Sequence, residues 1–124
     1  MGQLKTDGKA VNVSVPATKA VTFGEMYYIN GWTGIAMDTI GGSDTIRNMA
    51  IEVSERIWYV KIAAGVAALK GAKLWWTAAA LGTGYCDCLT DLQVTAPVAG
   101  DPAACKVEED KDANNYVAVR VLNN

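Results

Sequence analysis

Polar and apolar residues alternate strictly near the start of the chain. In residues 10–15 (Ala-Val-Asn-Val-Ser-Val), Val11, Val13 and Val15 fall on one side. A period of two in β-branched residues marks a strand, and Pro16 ends it. Two further apolar runs, residues 26–29 and 33–37, flank Asn30-Gly31-Trp32-Thr33-Gly34. Asn30-Gly31 is a favoured hairpin dipeptide because both residues tolerate positive φ. The stretch therefore predicts a hairpin or loop tip. Trp32 is either folded back onto the core or used in a protein contact.

Gly41-Gly42-Ser43-Asp44 is a loop, followed by strand patterns over 46–53 and 57–62. In the second of these, Ile57, Tyr59 and Lys61 oppose Trp58, Val60 and Ile62. The alanines of residues 63–70 favour a short helix, which Gly65 weakens. Strand character resumes over 72–76, is weaker over 85–89 and 93–98, and closes the chain over 116–121. Residues 82–84 and 100–102 read as turns, and the acidic stretch 108–115 as a charged loop. The expected fold is all-β. It is a small single-domain barrel or sandwich of short, mostly antiparallel strands, with at most one short helix. Residues 1–9 are expected to form a flexible N-terminal arm and residues 10–124 one β domain.

Composition sharpens this picture. The 124 residues are 51% hydrophobic and 19% charged. That charged share is low, so apolar surface is expected to be shared with another chain. The net charge of −2 gives nucleic-acid binding no electrostatic support. The longest clean apolar run, residues 62–69, is too short to cross a bilayer, and the start of the chain lacks the apolar core of a signal peptide. Neither nucleic acid nor membrane is an expected partner. The chain has no histidine, which removes the commonest general base and metal ligand.

Cys86-Asp87-Cys88 with Cys105 is the most chemical-looking feature. A structural zinc site needs four Cys or His ligands, and neither the count nor the spacing fits. The spacing also differs from Cys-x-x-Cys redox pairs. Buried thiols acting as small hydrophobes are the better reading. Glu52 and Glu55 would face opposite sides of one strand, so no paired carboxylates are expected. The Gly31 to Gly34 and Gly82 to Gly84 stretches lack phosphate-loop spacings. Trp75 and Trp76 are adjacent, so at most one of them could join Trp32 in a sugar or base platform. No cofactor, metal, catalytic group or small-molecule substrate is expected.

The order of elements resembles a family of tailed-phage head proteins, the capsid decoration or cement proteins. The resemblance rests on four segments: Val11-Asn-Val-Ser-Val-Pro-Ala, Val21-Thr-Phe-Gly-Glu, Tyr28-Ile-Asn-Gly-Trp-Thr-Gly-Ile-Ala36 and Gly71-Ala-Lys-Leu-Trp-Trp, with a closing Val117-Ala-Val-Arg-Val121. It covers nearly the whole chain. It departs in Pro102-Ala-Ala-Cys-Lys-Val-Glu, where the family often has a glycine-valine-alanine step. The resemblance implies a homotrimer, made in the host cytoplasm, that binds the major capsid protein on the outer surface of the mature phage head and stiffens it. The N-terminal stretch could add a strand to an exposed edge of that partner. The partner-binding residues expected on this reading are Leu4, Lys5, Val11, Val13 and Trp32. Alternatives are a carbohydrate-binding β module on a virion surface, using Trp32 and Trp75 or Trp76, and the base domain of a head fibre. A thiolate metal protein using Cys86, Cys88 and Cys105 is a further rival.

Overall fold

A computed structural model describes residues 10–54, 56–94 and 103–122. Ten strands form: β1 (Ala10–Ser14), β2 (Met26–Ile29), β3 (Trp32–Ala36), β4 (Asn48–Glu52), β5 (Ile57–Lys61), β6 (Lys73–Trp76), β7 (Tyr85–Asp87), β8 (Leu92–Gln93), β9 (Ala103–Glu109) and β10 (Tyr116–Val121). A four-residue helical turn, α1 (Ala78–Leu81), separates β6 from β7. The strands make two five-stranded sheets. Sheet I has the order β1-β4-β3-β2-β7, and sheet II the order β5-β10-β9-β6-β8. Every pairing is antiparallel. Among the described residues the sheets do not close into a barrel, so the architecture is a sandwich whose edge strands are β1, β7, β5 and β8.

Two apolar cores form. The larger joins the sheets: Met26, Ile35 and Cys86 of sheet I pack with Val60, Leu74, Trp76, Cys105, Val107 and the inward valines of β10. Across it, the buried Trp76 indole Nε1–H donates to Thr33 Oγ1 at 3.0 Å, tying sheet II to sheet I. The smaller core uses the other residues of sheet I with its loops: Val13, Val15, Val21, Tyr27, Ile29, Ala36, Ile40, Met49 and Ile51. β3 is therefore covered on both faces, which explains its four consecutive buried residues where alternation would expose every second one. Gly34 is needed at this crowded point, since a Cβ there would lie 2.7 Å from the Glu52 carbonyl oxygen.

The hairpin at Asn30-Gly31 is a two-residue loop, with Ile29 opposite Trp32 and φ of 47° and 102° at its two residues. Residues 63–70, where the alanines favour a helix and Gly65 weakens it, form none. Val66 N–H closes a single turn onto the Ala63 carbonyl, and the carbonyls of Ala63, Ala64 and Val66 accept from the Lys111 ammonium. The charged stretch 108–115 is not all loop either. Glu108 and Glu109 end β9, a strand that alternation did not reveal because Ala103, Ala104 and Cys105 are buried in succession. Glu108 pairs with Arg120 and Glu109 accepts the Tyr59 hydroxyl proton. Of the weak strand pattern over 93–98, Gln93 ends β8, and residues 95–98, like the turn at 100–102 and the arm at 1–9, lie outside the described residues.

Candidate functional site

Edge strands carry main-chain groups that no neighbouring strand satisfies, and they are the natural places for another chain to add. β1 is the outer strand of sheet I. Val15 N–H donates to the Arg47 carbonyl, and the register continues Val13 to Met49 and Val11 to Ile51. Hydrogen-bonded pairs alternate along an antiparallel ladder. The main-chain groups of Ala10, Asn12 and Ser14 therefore point away from β4. Ser14 is partly satisfied, because Asn30 Nδ2 donates to its carbonyl at 3.0 Å.

β5 is the outer strand of sheet II. Ile62 N–H donates to the Asn115 carbonyl, and the register runs Val60 to Val117 and Trp58 to Val119. By the same alternation, the main-chain groups of Ile57, Tyr59 and Lys61 point outward. The Lys61 carbonyl accepts the Cys88 thiol proton at 3.2 Å. Among the described residues, nothing meets the outward groups of Ile57 and Tyr59. Their side chains are 53% and 63% exposed, beside an exposed Tyr116 on β10.

The loops following both edges are held by one cation each. The Arg47 guanidinium donates to the carbonyls of Val15, Pro16, Lys19, Gly41 and Asp44. Lys111 Nζ donates to Ala63, Ala64 and Val66. Neither role has a local signal in the sequence, because the partners lie up to 32 and 48 residues away.

The expected partner-binding residues scatter. Leu4 and Lys5 lie outside the described residues. Val13 is buried in the smaller core with Val15. Val11 is half-buried at the edge, and Trp32 is 42% exposed beside the hairpin turn. Trp76 is buried and can join no sugar platform, whereas Trp75 is half-buried on sheet II and Trp32 lies on sheet I.

All three cysteines are free and buried in the larger core. Burial pushes each thiol up to about 12, so they stay protonated and apolar. No group of three or more potential ligands with metal-holding geometry exists among the described residues. Glu52 accepts the Ser54 hydroxyl proton at 2.7 Å, and Glu55 lies outside the described residues. A shallow cleft of about 370 Å³ is lined by Lys19, Tyr85, Asp87 and Asp91 among others. Its carboxylates are engaged in holding the turn at 87–91: Asp87 accepts from Leu89 N–H and Thr90 N–H, and Asp91 from Asp87 N–H. Lys19 lies 5.5 Å from the centre of the Tyr85 ring. No helix among the described residues is long and apolar enough to cross a membrane. No protein-family model, curated protein or solved structure matches the chain.

Proposed function

We propose that this chain is a structural virion protein, a decoration or cement protein that attaches as a homotrimer to the outer surface of a mature phage head and stabilises it. The observation that carries the reading is the open β1 edge. Ala10 and Asn12 turn their main-chain groups outward, on the strand that follows directly from the segment 1–9. The resemblance described above supports the same reading. An edge of this kind accepts or extends a strand of the major capsid protein by main-chain hydrogen bonds. Attachment through several copies at once multiplies the effect, since each further contact is intramolecular. Binding only the assembled shell shifts its equilibrium away from disassembly by mass action. The chain's role on this reading is mechanical and not enzymatic.

The test is the mass in solution by light scattering, followed by co-sedimentation with expanded empty phage shells. A trimer of 13.1 kDa subunits that sediments with the shells is the expected result. Deleting residues 1–9 should lower shell occupancy and leave the oligomer folded. A monomer that stays in the supernatant overturns the reading.

A further inference from the structure

β5 carries a second, differently built edge, and three observations converge on it. Its Ile57 and Tyr59 main-chain groups face outward with no partner among the described residues. The side chains of these two residues form an exposed apolar strip with Tyr116. On the inward side of the same strand, Trp58 Nε1–H is buried with no hydrogen-bond acceptor. A buried indole N–H left unpaired is costly, and such groups usually find a partner. The turn carrying Cys88 closes the Lys61 end of the edge and so limits where a new strand can start.

We propose that the β5 edge is a docking site for an extended segment of a different protein, with apolar residues in its middle and a carboxylate at its end. A strand hydrogen-bonded to Ile57 and Tyr59 places one of its residues opposite Trp58. Cβ atoms so paired lie within about 5.5 Å of each other. A hydroxyl or carboxamide at that position takes the indole proton. On the outer face the segment's apolar residues cover Ile57 and Tyr59. Lys61 is exposed and makes no ion pair among the described residues, so a carboxylate at the segment's end complements it.

A second copy of this chain fits less well. An antiparallel β5 to β5 pairing would place only Trp58, Val60 or Ile62 opposite Trp58, depending on register, and none of these offers an oxygen. It would also add a second Lys61 to the same ribbon. The inference stands apart from the decoration reading, which concerns β1.

The probe is a capped seven-residue peptide, Glu-Thr-Val-Thr-Val-Thr-Glu, with its valines and glutamates on one face and its threonines on the other. Amide hydrogen exchange is measured on the whole chain with millimolar peptide. Exchange at Ile57 and Tyr59 should slow by about tenfold, while Ala10 and Asn12 stay unchanged. The Trp58 indole N–H resonance should move at the same time. Lys61→Glu should weaken binding of this peptide and favour one ending in lysine. Tyr59→Pro removes the outward N–H together with the ring and its bond to Glu109, and should abolish the protection at Ile57 in a folded protein. Unchanged exchange at Ile57 and Tyr59 overturns the proposal, and so does binding indifferent to Lys61→Glu. A free protein of doubled mass with both amides already protected also overturns it, because a second copy then occupies the edge.

Discussion

β1 and β5 end their sheets in parallel ways. Each is a five-residue outer strand with outward main-chain groups at alternate residues. A side chain from a neighbouring turn caps one end of each: Asn30 on the Ser14 carbonyl, Cys88 on the Lys61 carbonyl. Beyond each, a loop turns its carbonyls onto one cation, Arg47 or Lys111. The difference is in the side chains. β1 exposes Asn12 and Ser14, whereas β5 exposes Ile57 and Tyr59. β1 therefore offers a partner main-chain hydrogen bonds beside polar side chains, whereas β5 adds apolar contact to them. Backbone geometry alone does not decide which edge attracts a partner.

The caps differ chemically, and alkali should separate them. The three thiols ordinarily titrate near 9 and are held up to about 12 by burial. Below pH 9 both folded and unfolded chains keep these protons, so the thiols add no pH dependence. Above it the unfolded chain releases protons that the folded chain retains, and stability falls as pH rises. The slope is about 1.4 kcal/mol per pH unit for each thiol that stays protonated. Denaturant midpoints should therefore drop steeply above pH 9, and Cys88→Ala should flatten part of that drop. A midpoint level through that range would contradict the thiol assignment. The Asn30 amide at β1 has no such titration.

The two cations should rank. Arg47→Ala removes hydrogen bonds to five carbonyls, two of which, Pro16 and Gly41, keep an amide partner, and should cost about 3 kcal/mol in urea unfolding, with hydrogen bonds to a charged donor setting the scale. Lys111→Ala removes bonds to three, of which Ala63 keeps the Val66 amide, and should cost about 1.5 kcal/mol. Arg47→Lys should recover less than half of the loss, because one ammonium cannot span the fork that the guanidinium fills. Equal costs at the two positions would mean that the loops, and not the cations, set the strength of each side.

The smallest effect is expected at the β1 cap. Asn30→Ala removes the bond to Ser14 and puts alanine at φ 47°, for a loss of about 1 kcal/mol. Asn30→Gly should cost less, since it keeps the backbone and loses only the amide. If both variants match, the side-chain bond dominates; if neither moves the midpoint, the Ser14 end is not held by Asn30.

Much of the fold was legible in the chain itself. Alternation in residues 10–15, 57–62 and 116–121 fixes those strands and which residues face inward, because side-chain direction follows the local pleat. Asn30-Gly31 determines a hairpin because its two residues accept positive φ. Low charge and the absence of histidine narrow the chemistry. The candidate sites were less legible. Nothing near Arg47, Lys111, Cys88 or Asn30 announces their partners, since each binds a carbonyl at least three and up to 48 residues away. β9 escaped alternation because Ala103, Ala104 and Cys105 are all buried, and residues 63–70 form no helix but turn three carbonyls onto Lys111, 45 or more residues away. Which strands are edges is a property of sheet order, and sheet order is set by long-range pairing. Local pattern therefore determined that this protein is made of strands and which residues face inward on those with one covered face, while only the tertiary structure decided which strands are covered on both faces, which lie at an edge and what caps them.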